Sequence, residues 1–375
     1  MFEQHLHIIS FDIPYPANYG GVIDVFYKAK ALTDKGIKVH LHCFEYNRKQ
    51  TAELDKLFYK VFYYKRDISK KHLFKNIPYM VSTRHSEELA KNLLKDDYPI
   101  LMEGLHTSSI LEDQRFNKRL RIVRTHNIEH EYYLNLAKVE NDIFKKYYFY
   151  NEANKLKRYE KVLHRADLLL SISKNDESYF ASRFKNVDFI PAFHPHKSVN
   201  SIPGKGDYVL YHGNLSVGEN TNVVKFLLNK IFPGLGIPLK IAGLNPSRQL
   251  KNLVSQFRGV ELIENPDDKT LTNLIKNAQI NIAITAQATG LKLKLLNTLY
   301  NGRFCIVNDK MLSGSKLDEL CIVANDAAAI KREIIRHFND EFTNEHIEER
   351  KLKLRMLYNN GNNVEKLIEL INTSR

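Results

Sequence analysis

"INIAI" (280–284) leads, three residues on, into "ATGLKLKLLNTLYNG" (288–302) and then at once into "RFCIVN" (303–308). An apolar run, a glycine turn, an amphipathic helix and a second apolar run form the repeating unit of a doubly wound α/β sheet. The helix opens on Gly290, and Lys292 and Lys294 follow it. A helix N-terminus offers free amides and a partial positive charge, which lysines reinforce, so this element reads as a phosphate holder. Residues two apart on a helix do not share a face, so at most one of the two lysines points at a given ligand atom unless the helix begins after them.

The same rhythm runs outward in both directions. On the C-terminal side of residue 207 come "YVLYHG" (208–213), "LKIAG" (239–243), "VELIE" (260–264), "INIAI", "RFCIVN" and "LCIVA" (320–324). On the N-terminal side come "HLHIISFD" (5–12), "KVHLHCFE" (38–45), "KVFYYKR" (60–66), "ILMEGLH" (100–106), "RIVRTHN" (121–127), "DLLLSIS" (167–173) and "VDFIPAF" (187–193). Helical patterns separate most of them. One is "VFYKAKALTDKG", with Val25, Phe26, Ala29 and Leu32 on one stripe and Gly36 at its end. A single long helix is expected from Glu140 to His164. Strands this apolar are buried on both faces, which means parallel sheets covered by helices. The rhythm stops once, at "PAFHPHKSVNSIPGKGD" (191–207), a linker rich in Pro, Gly and Ser.

The expected architecture is therefore α/β, with two tandem Rossmann-like doubly wound domains facing a cleft. The boundaries are 1–195 and 207–343, followed by a helical tail over 344–375. Ligands of such sheets sit beyond the carboxyl ends of the strands, and a cleft between two domains is the expected site.

The strand-following loops supply the candidates. "FDIPYPANYGGVIDVFY" places Gly20 and Gly21 at the start of a helix whose amides can meet an anion. "RIVRT" ends in "HNIEHEYY", so His126 stands at a strand's carboxyl end, able to donate to a sugar hydroxyl or a phosphate. Asn127, Glu129, His130 and Glu103 have weaker claims. In "YHGNLSVGENTNVVKFL", Gly213, Asn214, Ser216 and Gly218 can present amides and polar groups to a diphosphate. There is no Walker loop, GxGxxG fingerprint, G-x-S-x-G elbow, zinc spacing or aspartate-x-aspartate pair. No metal ligand set and no cofactor are expected.

Composition narrows the partners. The 375 residues carry a net charge of +13, which favours anionic ligands. Lysine and arginine are spread out, and no nucleic-acid module is present, so nucleic acid is not an expected partner. No apolar run is long enough to span a membrane, and "MFEQHLHIIS" does not resemble a signal peptide. Cys43, Cys305 and Cys321 sit in strand-like runs as core residues of a reducing compartment, so a cytoplasmic location is expected. "FYKVFYYKRDISKKHLFK" (58–75) interleaves aromatics with basic residues, a pattern suited to peripheral contact with an anionic membrane face.

Five of these stretches, in order, resemble the GT-B glycosyltransferases of family four (glycosyl transferases group 1). They are "IPYPANYGG", "RTHNIEHEYY" with the later "ADLLLSISKNDESYF", "YHGNLSVGENTNVVKFL", "PLKIAGLNPS" and "ATGLKLKLLNTLYNGRFCIV". The resemblance covers roughly residues 5 to 330. It implies transfer of a sugar, a hexose such as mannose, glucose or galactose, from a nucleotide-diphosphate donor with retention at the anomeric carbon. The acceptor would be a glycan or lipid-linked, in surface polysaccharide synthesis. It implies that the first domain holds the acceptor and the second the donor, with the C-terminal helix packing back on the first. Gly20 and Gly21 would lie near the donor phosphate and acceptor, and His126 would contact the donor sugar or its departing phosphate. Gly213 and Asn214 would approach the diphosphate, and Gly290, Lys292 and Lys294 would begin the helix beneath it.

The pattern departs from the family at one point. Many members carry two glutamates with seven residues between them, which align with Thr289 and Asn297 here. The second tends to accept hydrogen bonds from the ribose hydroxyls. An asparagine amide oxygen can still accept one such bond but carries no charge. A catalytically weak relative acting as a binding or scaffold subunit is the alternative that Asn297 raises. A sugar-nucleotide epimerase on the same fold is another.

Overall fold

The computed structural model describes residues 4–140, 142–286 and 293–374. These form two compact units, one of the described residues within 4–195 and 358–374, the other of those within 196–286 and 293–357.

The first unit is built on a seven-stranded sheet in the order β3-β2-β1-β4-β5-β6-β7. Its strands are β1 (His5–Ser10), β2 (Lys38–Glu45), β3 (Lys60–Lys65), β4 (Ile100–Glu103), β5 (Arg121–Thr125), β6 (Leu168–Ser171) and β7 (Val187–Phe189). Every pairing is parallel. The central strands are buried on both faces, so one apolar cluster lies on each side of the sheet. The second unit has a six-stranded sheet in the order β10-β9-β8-β11-β12-β13. Its strands are β8 (Val209–Asn214), β9 (Leu239–Leu244), β10 (Val260–Glu264), β11 (Ile280–Ala283), β12 (Phe304–Val307) and β13 (Ile322–Val323), all parallel. All thirteen apolar runs read from the sequence are strands, and the expected α/β fold of two doubly wound sheets is what forms.

Strand order reverses once in each sheet, between β1 and β4 and between β8 and β11. At such a switch point the flanking connections leave for opposite faces of the sheet, and a crevice opens beyond the strand ends.

The helix expected over 140–164 forms as Ile143–Tyr159, continued by the 3₁₀ turn Glu160–Arg165, and a separate helix, Glu129–Val139, precedes it. Asp142 caps Ile143–Tyr159, its side chain accepting from Lys145 N at 3.0 Å. The helical tail expected over 344–375 is two helices, divided between the units. Helix Asn344–Leu357 belongs to the second unit, and helix Asn360–Thr373 belongs to the first. Arg350 fixes the former by donating to the carbonyls of Leu299, Gly302 and Arg303. The latter inserts Val364, Leu367 and Ile371 into the core of the first unit beside Leu6 and Ile8. Within the aromatic stretch 58–75, residues Lys60–Lys65 form strand β3 and Lys70–Phe74 a 3₁₀ turn. Tyr64 of the strand is buried and donates to His42 Nδ1 at 2.8 Å, so only part of the stretch reaches solvent.

Candidate functional site

The first switch point is ringed by the loop after β1 and the ends of β4 and β5. The loop leads into the Gly20–Asp34 helix, which has no side-chain cap and no acid in its first turn. Its N-terminal amides are thus left to other partners. Gly21 is required by packing, since a Cβ there would lie 2.6 Å from the Phe11 ring. Phe11 in turn meets the edge of His126, ring centres 5.5 Å apart. Arg84, which the sequence did not single out, is buried and donates to Phe11 O at 2.8 Å and Met80 O at 2.7 Å, pinning this loop. Burial lowers its guanidinium to about 9.

His126 is buried at the end of β5, and its Nε2 lies 2.9 Å from Glu103 Oε2. The carboxylate accepts a hydrogen bond from Nε2–H, which leaves Nδ1 as the acceptor nitrogen of the neutral ring; among the described residues it has no partner. Glu103 is held by Lys28, whose Nζ stands 2.7 Å from Glu103 Oε1 and 2.9 Å from Asp24 Oδ2. Arg124 closes the network with Nε and Nη2 on the two Asp24 oxygens at 3.2 and 3.0 Å. All four charged side chains are buried. Burial would push the Asp24 carboxyl up, but Arg124 and Lys28 beside it hold it well below its ordinary range. Ligand atoms of Asp24, Glu103 and His126 lie within 4.8 Å of one another, a spacing that suits a metal ion. The Lys28 ammonium already bridges the two carboxylates. With Arg124 it balances their charges two against two.

The sequence did carry a signal for this network. Asp24 and Lys28 are a helical i, i+4 pair that interrupts the apolar stripe of Val25, Ala29 and Leu32. Arg124 interrupts the strand "RIVRT" in the same way. A charge on a buried face demands a buried partner.

Glu129 and His130 lie at the start of the next helix. Together with Leu105, Thr125, Asn127, Glu160, Leu163 and Phe180, Glu129 lines a small cavity. Burial, with Asp176 and Glu160 nearby, raises its carboxyl to about 7 against the opposing hydrogen bond from Asn127.

At the second switch point, β8 ends in Gly213 and Asn214. β8 and β9 approach so closely that a Cβ on Gly243 would lie 2.0 Å from Gly213 O. Asn214 Oδ1 accepts from Ser216 N at 3.1 Å and from Ser216 Oγ at 2.7 Å, so the side chain shapes its own loop. The helix Gly218–Phe226 follows. Its Glu219 accepts from Ala286 N at 2.6 Å and from the Thr285 hydroxyl, tying the end of β11 to the loop after β8.

Of the element that opened the reading, Gly290 and Lys292 lie outside the described residues, as does Thr289. Lys294 is in the first turn of helix Leu293–Asn301, with its Nζ 4.0 Å from the centre of the Tyr211 ring on β8. Burial lowers its ammonium to about 7, opposed by the Glu219 carboxylate. Burial also lowers His212 to about 3, and the Lys294 charge adds to this. Asn297 stands one turn further along, half-buried. Its Oδ1 accepts from Asn301 Nδ2 at 2.9 Å, so one of its two lone pairs is already taken. Each switch point thus gathers its sequence-selected residues: Gly21 and His126 around the first, Gly213 and Asn214 at the second with Lys294 packed under β8.

Two parallel sheets with this strand order, each with its polar residues at the reversal, define the GT-B glycosyltransferase architecture. Solved structures with that fold match the whole chain. Sucrose-phosphate synthase from Thermosynechococcus elongatus superposes with a TM-score of 0.70 at 15% identity, covering 99% of each chain. The trehalose-6-phosphate enzyme from E. coli, bound with UDP-2-fluoro glucose, superposes with a TM-score of 0.64 at 12% identity over 98% of this chain and 99% of that one. By sequence, the chain is 29% identical over 351 residues to an uncharacterized 44.6 kDa protein in the cps region of Klebsiella pneumoniae, spanning 88% of this chain and 90% of that protein. No family model matches the chain.

Proposed function

We propose that this protein is a retaining glycosyltransferase that moves a hexose from a nucleotide-diphosphate sugar to a glycan or lipid-linked acceptor in surface polysaccharide synthesis. The observation that carries the reading is the coincidence of the selected residues with both switch points. The GT-B fold and a likeness to an enzyme bound with a nucleotide sugar support it.

In this reading the difficult event is departure of the nucleotide diphosphate. Negative charge grows on the leaving oxygen as the sugar becomes oxocarbenium-like. Amides at helix N-termini and the Lys294 ammonium, aimed at that charge, stabilise the transition state without reorganising. The leaving phosphate takes the acceptor's proton, so no strong protein base is needed. His126 contacts the donor sugar. Its Nδ1, with the other nitrogen committed to Glu103, accepts a hydrogen bond from a sugar hydroxyl. The charge on the diphosphate is met by protein groups, with no divalent ion, and the enzyme works in the cytoplasm or at the inner face of the membrane.

The test is calorimetry with UDP, GDP, ADP, CMP and their sugar conjugates, followed by turnover with EDTA present. Selective binding of one nucleotide and its sugar, with turnover indifferent to EDTA, is the expected result. A protein that binds none of them is not a transferase of this kind.

A second reading has one specific observation in its favour. Asn297 spends an acceptor on Asn301 and brings no charge to a ribose. A binding or scaffold subunit would hold a nucleotide, transfer nothing, and lose nothing on substitution of His126.

A further inference from the structure

We propose that the paired helices Glu129–Val139 and Ile143–Tyr159 dock the first unit on an anionic lipid bilayer. The most exposed large apolar side chains of that unit are gathered there. Phe144 is 88% exposed, Ile143 80% and Tyr147 74%, all on the first two turns of the second helix. Phe74, 89% exposed, comes from the segment packed along the same helix, since Lys155 Nζ donates to Leu73 O at 2.8 Å and Glu152 accepts from Tyr79 N at 2.6 Å. Position 155 lies about 12 Å along the helix from Tyr147 at its rise per residue. These aromatics are spent on no core. The inner stripe of the helix, Glu152, Ala153, Lys155 and Leu156, makes the packing contacts.

The occupant follows from charge and size. Exposed Lys70 and Lys75 flank Phe74 along the chain, exposed Lys145 and half-buried Lys146 follow Phe144, and exposed Lys138 lies in the last turn of the preceding helix. Against these stand Glu131, Glu140, Asp142 and Asp67; Asp142 caps its helix, Glu140 accepts from Asp142 N at 3.0 Å, Asp67 pairs with Lys71 and His72, and the lysines, Lys71 included, outnumber the acids. Four such side chains offer on the order of 550 Å², below the roughly 800 Å² per partner of a stable protein interface. Lysine is depleted in protein interfaces, whereas aromatics interspersed with lysines suit the headgroup region of anionic lipid. The net charge of +13 acts in the same direction.

Vesicle flotation tests this apart from any transferase activity. The full chain should float with vesicles containing phosphatidylglycerol and much less with phosphatidylcholine alone, with binding falling as salt rises. Ile143→Ser with Phe144→Ser should weaken binding at least about tenfold. Lys145→Glu with Lys146→Glu should weaken it about fivefold or more per lysine. Ile143, Phe144 and Lys145 are exposed and Lys146 is half-buried, so the variants should keep close to the wild-type Tm. Equal flotation of wild type and variants, or no flotation, overturns the proposal. So does a dimer in light scattering that Phe144→Ser dissociates, which would make this face a self-interface.

Discussion

Glu103 holds the Nε2 edge of His126 at 2.9 Å, and among the described residues Nδ1 of that ring has no partner. The carboxylate therefore sets which nitrogen can accept. Glu103→Gln should invert the choice, because an amide N–H can donate to Nε2 and shift the proton to Nδ1. Nitrogen NMR of the His126 ring reads the tautomer directly. Turnover should fall roughly ten- to a hundredfold with little change in donor affinity. An unchanged tautomer would mean that Glu103 does not orient the ring.

Lys28 binds two buried carboxylates, so removing its charge strands them both. Lys28→Met should cost about 3–5 kcal/mol of stability in urea unfolding. Adding Glu103→Gln should restore about 1–3 kcal/mol of that loss, since one stranded charge is then gone. Additive losses would show that the ammonium and the carboxylate are not coupled.

Lys294 ionises near neutrality because burial lowers its ammonium to about 7. It is charged below that value and neutral above it. Affinity for a nucleotide sugar, whose diphosphate keeps a fixed charge in this range, should weaken as pH rises through about 7. Lys294→Met should bind weakly throughout and lose the pH dependence. Lys294→Ala should lower both affinity and turnover beyond any change in Tm. Calorimetry from pH 6 to pH 8 makes the comparison; wild-type behaviour in either variant removes Lys294 from the site.

Asn301 Nδ2 reaches both the side-chain oxygen and the main-chain oxygen of Asn297 at 2.9 Å. A carboxylate at 297 would keep that donor and have a second oxygen free. Asn297→Glu should therefore hold or raise nucleotide affinity, by up to roughly ten- to a hundredfold. A large loss in calorimetry would mean that the asparagine is fitted to a different ligand.

The first sheet contains a chain of neutral imidazoles. Asp96 accepts from His7 Nε2 at 2.8 Å, His7 Nδ1 from His42 at 2.8 Å, and His42 Nδ1 from Tyr64 at 2.8 Å; His5 and His40 pair beside them at 2.9 Å. Burial lowers His7, opposed by Asp96, and puts His42 well below its ordinary value. It lowers His40 to about 4, with help from the neighbouring His7. The unfolded chain therefore binds more protons than the folded one between the ordinary histidine value, about 6.5, and about 4. Stability from these groups is complete above about 6.5 and is lost as pH falls toward 4. Urea midpoints should drop across that window. His42→Phe, less stable at neutral pH, should show a shallower drop.

The strands were legible because central parallel strands are apolar on both faces, a signal that needs no knowledge of partners. The buried charges were harder. Asp24 and Arg124 are a hundred positions apart, and each alone looks like an interruption. The "HLH" at His5–His7 recurs at His40–His42, and strand alternation puts the first and third residue of each on one face. That repeat was visible, but its pairing depends on β1 and β2 being neighbours. The long helix was legible to within three residues of its start at Ile143, where Asp142 acts as the cap. Gly20, Gly21, His126, Gly213 and Asn214 were selected because strand ends are where such sheets place chemistry. Gly290 and Lys292 lie outside the described residues.

Helix Asn360–Thr373 gives the first unit Val364, Leu367 and Ile371, and Lys366 donates to Phe189 O at 2.9 Å. This has a consequence for synthesis. Chains usually finish their domains in order as they leave the ribosome. Here the unit begun first lacks part of its core until residues 360–373 emerge, so its completion waits for the whole of the second unit to be made. The second unit, whose described segments all precede residue 358, can close before it. Termination within helix Asn360–Thr373 would spare the second sheet and leave the first one unfinished.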